Sequence, residues 1–219
     1  MKKLTYAFVA TLALLYPTSI TPSVSDQWLK QANTVQQLAA SDGMEVDLHV
    51  VSANGKNFGP AATAYLTKKD GGKACGFFLI VENSPNVDIV LSGTAKEDRD
   101  DLIYSILVHE LGHCSQYYTH AELIPADINK SRDRRNEGYA DVYALVTIAQ
   151  QKPYFYSKAV NFFRKIRKNA GRMFMDDERY DTIEYLDQAK KILRLAATHR
   201  ADDIANFIVY KMPLPNDQS

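Results

Sequence analysis

Two histidines and a glutamate stand together in His109-Glu110-Leu111-Gly112-His113. On a helix, residues i and i+4 project from one face about one turn apart, so both imidazoles reach a single metal ion at about 2 Å. Glu110 follows the first histidine directly. That puts its carboxylate beside a water activated by the ion rather than on the ion, the position of a general base. A tetrahedral catalytic centre needs a third protein ligand and leaves a fourth position open. A third histidine on an extended motif would require Gly at 116 and His at 119, but the chain has Gln116 and Thr119. The segment Glu137-Gly-Tyr-Ala-Asp141, opening 24 residues beyond His113, offers a carboxylate instead. Glu137 and Asp141 share a helix face, so with Glu137 on the ion Asp141 can accept a hydrogen bond from a ligand imidazole and fix its tautomer. His120, Glu122 and Asp127 compete for the third position, but they lie close to the end of the first helix. The expected set is therefore His109, His113 and Glu137 on Zn2+, Glu110 as base, and Asp141 behind the ligands.

The rest of the composition narrows the alternatives. The chain has 219 residues, 46% of them hydrophobic, with 26 Lys+Arg against 26 Asp+Glu. That length suits one sizeable core, and the even charge gives no broad positive field for nucleic acid. Two cysteines cannot build a four-thiolate metal site or a disulfide framework, which leaves metal binding to histidines and carboxylates. Lys2 and Lys3, the apolar run Leu4 to Tyr16, and Ser23-Val24-Ser25 have the layout of a signal peptide over residues 1–25. The run is shorter than the roughly 20 apolar residues that span a bilayer. The expected product is a single domain over 26–219, secreted or periplasmic, with no stable membrane insertion after cleavage. It keeps 24 Lys+Arg against 26 Asp+Glu. In an oxidising compartment Cys75 and Cys114 either close one disulfide or stay as buried thiols, and spacing leaves both open.

The elements that must position these residues follow from periodicity. Trp28, Leu29, Ala32, Val35 and Leu38 predict a helix from Asp26 that ends before Gly43. Strands are expected at 44–52, 61–67, 75–82 and 87–91, separated by turn signals at Asn54-Gly55, Asp70-Gly71-Gly72 and Asn83 to Asn86. Thr94 and Glu97 have capping-box spacing before a helix whose apolar face is Leu102, Ile103, Ile106, Leu107 and Leu111. Further helices are expected near 133–151, 154–170, 178–198 and 201–210. The predicted class is α+β, a small mostly antiparallel sheet followed by the active-site helix, the glutamate helix and C-terminal helices. Arg164, Lys165, Arg167, Lys168 and Arg172, alternating with Phe162, Phe163 and Ile166, read as the solvated cationic face of an amphipathic helix. Arg132, Arg134 and Arg135 are expected to order the start of the glutamate helix through local ion pairs.

His-Glu-Leu-Gly-His followed by Glu-x-x-Ala-Asp resembles the gluzincin zinc metallopeptidases, especially the CAAX prenyl proteases, the related heat-shock proteases and the small soluble minigluzincins. The resemblance covers residues 109–113 and 137–141 only. It implies a zincin-like fold, Zn2+, and a peptide or protein substrate cleaved by metallopeptidase chemistry. Intramembrane substrates are not implied, since the chain has no transmembrane helices. Such enzymes need a donor for the oxyanion. Thr198-His199 is similar to the Thr-His-Pro element of that group, with Arg200 in place of Pro, which makes His199 the first candidate and Tyr117, Tyr118 and Tyr139 alternatives. The resemblance also implies that the strand at 87–91 pairs with the substrate backbone. Two other functions stay open at this level: a zinc-stabilised binding module without turnover, and amide hydrolysis on peptidoglycan.

Overall fold

A computed structural model describes residues 24–52, 60–67, 71–82, 87, 90–124, 134–173 and 182–212. The expected signal peptide up to residue 23, and the turn residues Asn54-Gly55, Asp70 and Asn83 to Asn86, lie outside them. Among the described residues no helix is long and apolar enough to cross a membrane.

Helix α1 (Val24–Ser41) buries Trp28, Ala32, Val35 and Ala39 on one stripe. It ends in a Schellman turn. Gly43 takes a left-handed φ of 76°, its N–H bonds the Ala40 carbonyl at 3.1 Å, and Met44 N–H bonds the Ala39 carbonyl at 2.9 Å.

Three strands follow: β1 (Val46–Ser52), β2 (Ala61–Thr67) and β3 (Lys73–Glu82), in spatial order β1-β3-β2. The sheet is mixed rather than mostly antiparallel. β2 pairs antiparallel with β3, while β1 lies parallel on its other side. The central position of β3 follows from its composition. Its apolar run, with Phe77, Leu79 and Val81 buried, belongs in the centre of a sheet and leaves the outer positions to the others. Tyr65 stands opposite Cys75 and Thr63 opposite Phe77. Directly paired residues share a face, so Thr63, Tyr65 and Cys75 all point the same way.

The expected fourth strand at 87–91 does not form. Val87, Val90 and Leu91 are helical, and Val87 and Leu91 are buried. Val-Asp-Ile-Val-Leu satisfies both alternation and an i, i+4 pair, and five residues are too few for periodicity to decide. The capping box is also unrealised. A 3-10 turn (Lys96–Asp98) leads into helix α2 (Arg99–Thr119), and neither Ala95 nor Asp98 makes a side-chain cap.

Helix α3 (Arg134–Gln151) is buried without interruption from Asn136 to Ile148. A helix covered on every side is the axis of the core, and α2, α4 (Tyr156–Met173), α5 (Ile183–Ala196) and α6 (Ala201–Asn206, continuing as a π-turn Phe207–Lys211) pack around it. Arg134 reaches across to α5, donating to Glu184 Oε2 at 2.8 Å. Arg135 is exposed and Arg132 lies outside the described residues.

Glycines in the two motifs set how closely these helices meet. A Cβ at Gly112 would stand 2.8 Å from the Cα of Ala140, and one at Gly138 would stand 2.3 Å from the Tyr185 ring. The Ala140 contact is backbone, which cannot swing aside. Gly112→Ala is therefore expected to destabilise the fold by up to about 2 kcal/mol, the overpacking cost of about 1–3 being set against a gain of about 1 in helix propensity. Urea denaturation checks this. A more stable variant would mean that the α2–α3 contact yields freely.

Candidate metal centre

His109 and His113 leave the same face of α2 with ring centroids 5.0 Å apart and planes at 85°. Glu137, in the first turn of α3, faces both of them. Its Oε2 lies 3.6 Å from His109 Nε2 and its Oε1 3.8 Å from His113 Nε2. One ligand atom from each residue falls within 4.8 Å of the others. A tetrahedral ion with bonds of about 2.0–2.1 Å separates its ligand atoms by about 3.4 Å, so small rotamer adjustments suffice. Two imidazoles and one carboxylate form a donor set that could hold one divalent metal ion and leave a fourth position open. The three side chains are only 10%, 12% and 9% exposed.

Among the described residues, the other expected third ligands are not part of this group. His120 lies beyond the end of α2, with Nδ1 3.7 Å from Glu122 Oε1 and its ring edge toward Tyr139. Asp127 is outside the described residues.

Asp141 sits one turn along α3 from Glu137, with Oδ1 2.9 Å from His109 Nδ1. The close approach sets a carboxylate behind Nδ1, while Nε2 faces Glu137. Thr182 donates a hydrogen bond to Asp141 Oδ2. Arg167 of α4 donates from Nε to Asp141 Oδ2 at 2.8 Å, and from Nη2 to Asp141 Oδ1 at 2.7 Å and Glu137 Oε2 at 3.1 Å.

Arg167 corrects the reading of the basic stretch. It is buried at 8% exposure, while Lys165 and Lys168 are exposed and Arg164 pairs with Asp187 of α5. The side chain of Arg172 and residues Asp176, Asp177 and Glu178 lie outside the described residues. A signal for Arg167 was present. Val160, Phe163 and Arg167 fall on one helical stripe, and a cation on a buried stripe requires an acidic partner.

Glu110 is contacted by Thr63 of β2, whose Oγ1 donates to Oε2 at 3.4 Å. Burial pushes the Glu110 carboxyl above its ordinary pKa, with Glu137 adding to the rise and His109 opposing it. Burial also drives His113 down to about 4. For His109 burial acts downward, but the hydrogen bonds to Asp141 and Glu137 outweigh it and raise the group to about 9. Asp141 is held at about 2 despite burial, by Arg167 and His109. Glu137 is likewise held well below its usual range, where the His109 hydrogen bond and Arg167 overcome burial. His109 and Glu137 are thus held by opposite charges within the protein, His113 is kept neutral by burial, and Glu110 is the carboxyl biased toward taking a proton.

Of the candidate oxyanion donors, His199, Tyr118 and Tyr139 are engaged elsewhere, while Tyr117 lies against β2. Gln150 of α3 donates to the carbonyls of Ala196 at 2.7 Å and His199 at 2.9 Å. Gln150 is 13 residues along α3 from Glu137, about 20 Å of helix. His199 lines a separate cleft of about 770 Å3 with Asp42, Arg200 and Asp202, so it does not reach the ligand group. Tyr118 is committed to backbone, accepting from Glu45 N–H and donating to the Glu45 and Lys73 carbonyls. Tyr139 is fully buried and stacked on Tyr143. Tyr117 stacks at 4.7 Å on Tyr65 of β2. Tyr65 was not singled out from the sequence. It shares the β2 face of Thr63, which contacts Glu110, and its hydroxyl is held far above its ordinary pKa by burial and by the charges of Glu110 and Glu137.

Two further contacts secure the ligand helices. Gln116, fully buried, donates to Asn136 Oδ1 at 3.0 Å and to Tyr210 OH at 2.6 Å, joining α2, α3 and the π-turn next to Glu137. Cys75 of β3 and Cys114 of α2 form a disulfide with Cα atoms 5.7 Å apart, adjacent to His113. Of the two readings that spacing left open, the structure has the bonded one. No protein-family model, curated protein or solved structure matches the chain, so its functional reading rests on the geometry of this centre.

Proposed function

We propose that the chain is an exported zinc-dependent endopeptidase of the gluzincin type, acting on peptide or protein substrates within a zincin-like arrangement of helices and sheet. The observation that carries this reading is the convergence of His109, His113 and Glu137 from two helices with Glu110 alongside. When bound there, Zn2+ supplies a Lewis acid that acidifies a water and polarises the scissile carbonyl.

The chain's own residues do the rest. His109 and His113 offer nitrogen ligands, and Asp141 holds the first in the tautomer that presents Nε2. Glu110 takes a proton from the attacking water onto its carboxylate and returns it to the leaving amine. A carboxyl whose proton affinity is raised by burial suits that exchange near neutral pH. Thr63 steadies the Glu110 carboxylate from the sheet side.

With 87–91 helical in part, the strand that supports substrate pairing is β2. Its inner side is bonded to β3, it forms one edge of the sheet, and Thr63 brings it against Glu110. An extended peptide alongside β2 would gain backbone hydrogen bonds and lie across the ion site. The Cys75–Cys114 disulfide supports residence in an oxidising compartment, secreted or periplasmic.

The test is an unbiased peptide library incubated with zinc-loaded protein and read by mass spectrometry. Cleavage is expected, abolished by a chelator and restored by zinc. Bound zinc without turnover would favour the binding module, and release limited to peptidoglycan stem peptides would favour the amide hydrolase.

A further inference from the structure

Arg167 occupies a position that electrostatics alone does not require. A cation near Glu137 and Asp141 would neutralise them from many places, yet this guanidinium forks between both carboxylates. It makes three hydrogen bonds of 2.7, 2.8 and 3.1 Å. It touches one ligand, Glu137, directly and the other, His109, through Asp141, whose Oδ1 it shares with His109 Nδ1. Those two ligands come from different helices, and Arg167 reaches both from a third.

We propose that Arg167 is the positioning residue of the metal centre, holding Glu137 to one metal-facing oxygen and His109 to one orientation so that the fourth coordination position stays open. This rests on the metal reading above. A carboxylate offers an ion either one oxygen or two, and two would occupy the position that water and substrate require. Glu137 Oε2 accepts the Arg167 Nη2 hydrogen bond, which leaves Oε1, on the His113 side, as the oxygen presented to an ion. A planar fork with fixed donor directions can impose this choice on two carboxylates at once, whereas the point charge of a lysine cannot. Thr182, donating to Asp141 Oδ2, keeps the carboxylate in the plane that both Arg167 and His109 use.

The test compares wild type, Arg167→Lys and Arg167→Met. Folding is followed by circular dichroism, zinc affinity by chelator competition, and coordination by the visible d–d bands of the cobalt-loaded protein. Arg167→Lys keeps the buried positive charge and carries the test if Arg167→Met does not fold. It is expected to fold, to bind zinc about 10–100-fold more weakly, and to give weaker cobalt bands as a second Glu137 oxygen raises the coordination number. Wild-type affinity and an unchanged cobalt spectrum in Arg167→Lys would overturn the inference and leave the metal site standing. Failure of the wild-type chain to bind either ion would overturn the metal reading itself.

Discussion

Replacing Glu110 with Gln is expected to leave one zinc bound per chain and to lower kcat on a peptide substrate by about 10²–10⁴-fold. The two outcomes separate because Glu110 stands outside the ligand group of His109, His113 and Glu137. Gln matches the carboxylate in shape and keeps an acceptor oxygen for Thr63, so the α2–β2 contact persists. What it loses is the ability to take a proton. A variant that retained activity would sink the proposed mechanism, because that mechanism routes the proton through Glu110 alone. The magnitude also discriminates. A structural zinc module would show no dependence on Glu110, while loss of zinc in Glu110→Gln would mean that this residue is a ligand.

The second large effect concerns the disulfide. Cys75 and Cys114 are both fully buried and close a loop with a sequence separation of 39 residues. Restricting the unfolded chain over that span is worth about 3–4 kcal/mol. The staple also joins β3 to α2 one residue after His113, so stability and the metal centre are linked at one place. The double substitution Cys75→Ala and Cys114→Ala is expected to lower unfolding free energy by about 3–4 kcal/mol. Reductant should destabilise unfolded-and-refolded wild type in the same way and leave the variant unaffected. Equal denaturant midpoints for variant and wild type would mean that packing alone holds α2 to the sheet.

Local geometry was legible in the sequence and long-range placement was not. His109, Glu110 and His113 sit within a strongly periodic helix, and their common face follows from helical geometry alone. Glu137 and Asp141 needed one further step, the assumption that a second helix crosses the first. Gly112 and Ala140 make that crossing possible, but their contact is a property of two packed backbones. Residues 87–91 were ambiguous because five apolar-rich residues fit both periods. That β3, the most apolar strand, lies at the centre of the sheet follows from its composition, but the parallel pairing of β1 with it is a tertiary fact that strand composition does not carry.

Arg167 was misjudged by composition: five basic residues in nine positions suggested one solvated face, while the Val160, Phe163 and Arg167 stripe already contradicted that. His199 illustrates the opposite hazard. A two-residue likeness placed it at the site, and the length of α3 separates it from Glu137. Each of these depends on which helix end meets which, a tertiary fact that spacing within an element does not carry.

The claim beneath all of these is that His109, His113 and Glu137 hold one metal ion. Zinc content measured side by side in wild type, His113→Ala and Glu137→Gln, after identical dialysis against a weak chelator, tests it most directly. Gln at 137 keeps the side-chain volume and an acceptor for Arg167, so loss of metal there would not be a consequence of unfolding. The expected result is one zinc per chain in the wild type and little or none in either variant. Unchanged zinc in Glu137→Gln, or a wild-type chain that retains none, would contradict the account.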